Sequence, residues 1–321
     1  VAHHHVRQSL GGSLAGVHRA DVLPLPQNGH PVRQGHDLVE LVGDDDDGLA
    51  VGLHGPQDVE ETVCLLGGQH GGGLVENQNV RAPVEDLDDL HRLLLGDGTD
   101  DLKSSRVAVF GCGGVGSYII EALARAGVGE IAVIDGDSVA ESNINRQLVA
   151  DRTTVGQRKA EVARERILRI NPDCRAVAYD MFYTAENADA IDLSHFDYVA
   201  DAIDTVTSKL EIISRCRAAG VNIISSMGTG NKLDPTRFRI SPIEETSVCP
   251  LARVMRRELK TRGITGVRVL WSDEPARAPL TSDGEAPAPG RRSVPGSVSF
   301  VPSCAGLIIA GEIIRTLSGV R

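Results

Sequence analysis

Apolar and polar positions change rhythm abruptly at Arg106. From there, short apolar runs alternate with stretches of helical spacing. Val107-Ala108-Val109-Phe110 has the continuous apolar character of a buried parallel strand. Gly111-Cys112-Gly113-Gly114-Val115-Gly116 follows at once. Ser117 to Ala126 then sets Ile119, Ile120, Leu123 and Ala124 at helical spacing and stops at Gly127 and Gly129. Ile131-Ala132-Val133-Ile134 is the next strand, so residues 106–135 read as one strand-helix-strand unit.

The alternation continues. The pattern predicts a helix over Lys159–Ile170, stopped by Asn171-Pro172, and a strand over Ala176–Ala178. A strand over Tyr198–Ile203, a helix over Val206–Ala219 and a strand over Val221–Ser225 follow. Such alternation implies an α/β protein with a mostly parallel, doubly wound sheet. Beyond Met227 the pattern turns antiparallel or irregular. Pro250–Arg262 is predicted as a helix. Residues 273–296, with five prolines and little apolar content, are predicted as a mobile loop, and Phe300–Leu317 as a strand end and a helix.

Composition divides the 321-residue chain. Residues 1–100 hold 5 Lys+Arg against 17 Asp+Glu, net −12, whereas the remainder holds 28 against 27, net +1. The first hundred residues also lack Phe, Tyr, Trp, Ile, Met and Lys. A segment so poor in large apolar side chains has little with which to offset chain entropy. Residues 1–90 are therefore expected to be a poorly structured or peripheral extension, and residues 91–321 the main domain. His3-His4-His5 reads as a solvated tail and Asp44–Asp47 as an extended charged loop. The most apolar tail, Gly306–Leu317, carries Glu312 and Arg315 and is too short to span a membrane, so no membrane partner is expected. Six cysteines without a C-x-x-C pair, and no secretory leader pattern, point to reduced thiols and a cytoplasmic location.

Gly111, Gly113 and Gly116 satisfy G-x-G-x-x-G between a strand and a helix, where backbone N–H groups and the helix dipole receive phosphate. Asp135 ends the next strand, placed to accept hydrogen bonds from ribose hydroxyls. This loop alone does not separate NAD from ATP. The residues beyond it do. Arg146 in Asn143-Ile144-Asn145-Arg146-Gln147, Lys159 at a helix start and Asp204 at a strand end offer cations for phosphate and a carboxylate for Mg²⁺. Hydride transfer needs no such cluster. Nucleotidyl transfer does, because charge grows on phosphate as pyrophosphate leaves.

The segments GCGGVGS, DGDSVAESNINRQ, VGQRKAEV, RILRINPDC and DAIDTVTSK resemble the ThiF/MoeB/HesA adenylating superfamily over about residues 102–321. Asp234-Pro235, Pro250-Leu251-Ala252-Arg253 and Ser299–Gly306 resemble its tRNA threonylcarbamoyladenosine dehydratases in particular, as does the lack of paired zinc-ligand cysteines. The resemblance implies a Rossmann-like fold and ATP, Mg²⁺ and a tRNA substrate. It also implies a homodimer, with a sulfur-transfer or carrier protein as the other candidate partner. Gly111, Gly113, Gly114 and Gly116 would form the ATP loop, and Asp135 would hold the ribose. Asn143, Arg146 and Lys159 would contact phosphates, and Asp204 would bind Mg²⁺.

The implied reaction activates the substrate carboxylate so that it cyclises with loss of water. Alternatives are a sulfur-carrier-protein adenylyltransferase, a NAD-dependent oxidoreductase and an inactive binding module. The chain departs from the family pattern where Leu90 stands in place of an arginine that reaches the partner's ATP, with Arg92 out of register. It departs again at Cys249, where the dehydratases tend to have Asp. Cys304 reads as a packing residue, with acyl transfer as its other reading. Arg253, Arg256, Arg257, Lys260 and Arg262 on one helix read as a solvated face or as tRNA phosphate contacts.

Overall fold

The computed structural model describes residues 49–51, 64–66, 91, 92, 94–278 and 296–320. The chain divides into two compact units, Val1–Glu85 and Asp86–Arg321. In the first, β1 (Leu49–Val51) pairs antiparallel with β2 (Cys64–Leu66). The rest of the predicted 1–90 extension lies outside the described residues.

In the second unit α1 (Gly98–Ser104) leads into β3 (Arg106–Phe110), α2 (Gly116–Arg125) and β4 (Glu130–Ile134). Then come α3 (Lys159–Ile170), β5 (Arg175–Tyr179), β6 (Tyr198–Asp201), α4 (Val206–Ala219) and β7 (Asn222–Ser226). The chain closes with β8 (Phe238–Pro242), α5 (Pro250–Thr261), β9 (Arg268–Ser272) and α6 (Phe300–Ser318). The seven strands of this unit lie in the order β5-β4-β3-β6-β7-β9-β8, all parallel except β8, which pairs antiparallel with β9.

Side chains alternate across each strand. Val107 and Val109 face a core with Ile119 of α2, Ile167 of α3 and Ile309 of α6, whereas Ala108 and Phe110 face a core with Ile212 of α4 and Met255 of α5. Helices thus cover both faces, which is why β4 is buried from end to end. The order reverses at β3, with β4 on one side and β6 on the other. Ligands bind beyond the carboxyl ends of the strands at such a reversal.

Three expectations need correction. The apolar tail is not too short to span a membrane: it belongs to α6, which runs 19 residues and is long and apolar enough by composition to cross one. Its character follows from packing. Val301, Ala305, Ile309, Ala310 and Ile313 are buried in the core, and a Cβ at Gly306 would collide with the Val115 carbonyl. There is no strand end at Phe300, because Pro302 sits in the first helical turn, where a missing N–H is harmless. Nor does a loose loop begin at residue 273. Asp273 binds Arg237 and Arg239, and Glu274 is buried. Residues 279–295 of the predicted loop lie outside the described residues.

Candidate active site

The loop between β3 and α2 is built on two glycines. Gly111 has φ +92°, a left-handed conformation that side chains resist, and its N–H donates to the Ile134 carbonyl. Gly116 opens α2 so close to the Gly111 carbonyl that any Cβ would collide with it. The turn is therefore tight enough to present backbone at the switch point. A cavity of about 990 Å³ opens there, at the upper end of ordinary ligand pockets.

Gly111, Gly113 and Gly114, Asp135, Asn143, Arg146, Lys159 and Asp204 all line this one cavity. Gly116 does not; it acts from below by permitting the turn. Asp135 Oδ2 accepts the Cys112 N–H at 2.7 Å, and Oδ1 accepts the Asp137 N–H at 2.8 Å. Burial outweighs these bonds and raises its carboxyl above the ordinary range. Each oxygen keeps a lone pair for a further donor.

Lys159 starts α3, nearly buried, with Nζ 3.0 Å from Asp137 Oδ2. Arg146 donates from Nη1 to the Ser142 carbonyl and to Asn145 Oδ1, each at 2.8 Å. Asn143 caps its own turn through Oδ1, which accepts the Ala140 N–H at 3.1 Å. Asp204 is exposed at the turn after β6, with Thr205 Oγ1 at 3.4 Å. No cluster of three or more His, Cys, Asp or Glu side chains that could hold a metal forms among the described residues.

Sequence reasoning did not name Lys232, Met181, Phe182 or Gln147 as site residues. Lys232 follows β7, and its signal was its place after a strand end. Met181 and exposed Phe182 follow β5. Gln147 is buried beside the glycine loop, its Oε1 without a partner among the described residues. Cys249 is buried and lines the cavity at the start of α5. Cys304, half-buried in α6, does not line it. Cys112, Cys174, Cys216, Cys249 and Cys304 are free thiols.

The basic helix divides by environment. Arg256 is bound to Thr246, and Arg257 and Arg262 pair with Glu258. Arg253 and Lys260 are exposed. Arg92 binds Asp100 of its own chain at 2.8 Å, whereas Leu90 lies outside the described residues.

Residues 89–321 match the ThiF family. A tRNA threonylcarbamoyladenosine dehydratase of Bacillus subtilis is 44% identical over 229 residues, 69% of this chain and 90% of the relative. That of Escherichia coli K12 is 35% identical over 231 residues, 66% and 86% of the two chains. A crystal structure of the E. coli enzyme in complex with ATP superposes with a TM-score of 0.64 at 32% identity, covering 74% of this chain and 95% of that one. Its complex with AMP gives 0.65 at 33% identity, covering 72% and 93%. The chain belongs to the ThiF family, in its tRNA threonylcarbamoyladenosine dehydratase branch.

Proposed function

We infer that this chain is an ATP-dependent tRNA threonylcarbamoyladenosine dehydratase. It activates the carboxylate of the modified adenosine, which then cyclises with overall loss of water. The observation that carries the reading is the convergence of the glycine loop, Arg146, Lys159 and Asp204 on one cavity at the β3/β6 reversal.

The residues take these roles. Gly111, Gly113 and Gly114 offer backbone to the phosphates, and Gly116 makes that turn possible. Asp135 receives ribose hydroxyls. Asn143, Arg146 and Lys159 contact phosphate oxygens, the two cations offsetting charge that grows as pyrophosphate departs. Asp204 would hold Mg²⁺. A single carboxylate fits this ion, which keeps most of its shell as water and phosphate oxygens. Bound there, the ion neutralises phosphate charge. The substrate carboxylate bonds to the α-phosphorus as pyrophosphate leaves, and the carbamoyl nitrogen or oxygen then closes on the activated carbonyl as AMP leaves.

The working unit in this reading is a cytoplasmic homodimer. With Leu90 in the family's arginine position and Arg92 bound to Asp100, a second copy adds no arginine from position 90. A sulfur-carrier substrate is the competing reading.

The test is mass spectrometry of tRNA nucleosides after incubation with ATP and Mg²⁺. Loss of one water from threonylcarbamoyladenosine is expected. Pyrophosphate exchange driven by a small carrier protein, with modified tRNA unchanged, would overturn the reading. So would nicotinamide binding that ATP does not disturb.

A further inference from the structure

The cavity continues beyond the phosphate-side residues to the ends of β7 and β9. Ser226–Lys232 line it there, with Cys249 and Leu251 from the start of α5. Among the described residues, three cationic side chains line the cavity: Arg146, Lys159 and Lys232. The first two stand on the β4 side of the glycine loop. Lys232 is the one on the other side among the described residues.

Lys232 is only 5% exposed. Its Nζ donates to the Glu274 carbonyl and has no other partner among the described residues. An ammonium carries three donors, and burying it with one satisfied is unfavourable unless an anion completes the set. Glu274 is close enough for its carboxylate to feel the lysine's charge, but it makes no hydrogen bond to Nζ, and its hydrogen bonds go to the turn. It accepts the Leu233 N–H at 3.0 Å and the Asp234 N–H at 3.0 Å, and Arg277 lies 3.7 Å from it. Burial alone would raise this carboxyl, yet those backbone donors, together with the charges of Lys232 and Arg277, hold it below the ordinary range. Glu274 thus braces the 232–234 turn with its side chain and tethers the lysine with its carbonyl.

Topology gives this cation a place in the reaction. Going from β4 to β7 crosses three strand spacings, about 14 Å. With the ribose at Asp135 beyond β4, phosphates over the glycine loop beyond β3 and Asp204 beyond β6, the end of β7 is left for the group that attacks.

We propose that Lys232 holds the substrate carboxylate against the α-phosphate. The inference rests on the dehydratase reading above. One carboxylate oxygen bonds to the α-phosphorus, and the phosphorus–oxygen bond to pyrophosphate breaks with its electron pair on pyrophosphate. The other oxygen, hydrogen-bonded to Lys232, becomes the acyl carbonyl and is polarised for ring closure. AMP then leaves with the electron pair of the acyl–oxygen bond, and the attacking carbamoyl group gives up its proton.

The experiment is steady-state kinetics of the full chain on threonylcarbamoyladenosine-containing tRNA, with Lys232→Gln and Lys232→Arg. Glutamine keeps a neutral donor near the Glu274 carbonyl and loses the charge; arginine keeps the charge. A charge-assisted hydrogen bond sets the expected scale. Lys232→Gln should raise KM for the modified tRNA about tenfold or more, leave KM for ATP within about twofold, and leave the melting temperature unchanged. Lys232→Arg should restore most of the loss. Three results overturn the proposal: an unchanged KM for tRNA, a rise in KM for ATP instead, or equal impairment of both variants with lowered melting temperature. If wild-type protein itself removes no water from the tRNA, the dehydratase reading fails, and the proposal with it. If wild-type protein is active and Lys232→Gln matches it, only the lysine's role fails.

Discussion

Lys209 Nζ lies 3.0 Å from Asp201 Oδ2, and neither side chain reaches solvent. The ammonium also donates to Ser225 Oγ at 3.2 Å and to the Ser226 carbonyl at 2.7 Å, so all three of its donors are used. Asp201 Oδ1 accepts the Ile203 N–H at 3.2 Å. The pair therefore ties α4 to the ends of β6 and β7, directly beneath Ile203, Asp204 and Ser226 of the cavity. Removing one member of a buried pair strands the other charge, at a cost of about 3–5 kcal/mol. Lys209→Met should lose stability on that scale in urea denaturation. Lys209→Met with Asp201→Leu should recover a large part of it. Equal instability of single and double variants would mean that the pair's charges are not what stabilises this floor.

The glycine loop separates folding from binding. A Cβ at Gly116 would collide with the Gly111 carbonyl, whereas one at Gly113 would meet nothing nearer than Gln147 Nε2 at 4.0 Å. Gly116→Ala should lower the melting temperature markedly. Gly113→Ala should leave it unchanged while its methyl occupies space that the proposed reading gives to phosphate, weakening ATP binding about tenfold or more by calorimetry. Equal ATP affinity in Gly113→Ala would remove the loop from phosphate binding.

The contrast between these glycines and Lys232 shows what the sequence carried. The helices over Lys159–Ile170 and Val206–Ala219 were legible to the residue. An Asn-Pro pair stops the first, and Gly220, at φ +71°, stops the second. Asp135, Lys159 and Asp204, which line the cavity, could be placed there from sequence because each follows a recognisable strand or starts a recognisable helix. The partners of β8 and β9 were not. Which strand lies beside β7 depends on tertiary packing, and Arg268–Ser272 is too short to declare its neighbours. Lys232 was hidden for a related reason. Its turn has no periodicity, and its burial depends on Glu274, which is 42 residues away and sits in a stretch that composition marked as loose.

Asp204 offers a cleaner test of chemistry than of structure. It is exposed, beside Thr205, on a turn whose position is set by Asp201. Asp204→Ala should therefore keep the melting temperature within a few degrees and lower kcat by about a hundredfold or more, the scale of losing one electrostatic group from such a site. AMP release from modified tRNA reads this directly. Unchanged turnover would exclude Asp204 from the mechanism.

The surface of α5 makes a separate prediction about tRNA. Arg253 and Lys260 are seven residues apart and share a helix face. Arg257 and Arg262 are partly neutralised by Glu258, whose carboxyl these two guanidinium groups hold below its ordinary range. Arg253→Glu with Lys260→Glu should raise KM for tRNA and flatten its salt dependence by about one to two counterions, leaving KM for ATP unaltered. A salt slope equal to wild type would place the RNA on another face.

The buried thiols predict a loss of stability at alkaline pH. Burial pushes Cys174 from 9.0 up to about 11 and Cys216 from 9.0 up to about 12. The unfolded chain releases these protons near pH 9.0, whereas the folded chain keeps them to about 11 and 12. Stability from this source is therefore complete below pH 9 and is lost as pH rises through that window. The slope is about 1.4 kcal/mol per pH unit for each thiol within its range. Tyr183 and Tyr198, moved by burial from 10.0 to about 12, steepen the fall above pH 10. Urea denaturation between pH 8 and about 11 should show a plateau followed by this decline. Cys216→Ala should lower the plateau through the small void it leaves, but should also make the decline shallower by about one proton, because one group no longer titrates differently in the two states. A decline of unchanged steepness in that variant would show that the Cys216 thiol does not keep its proton in the folded core.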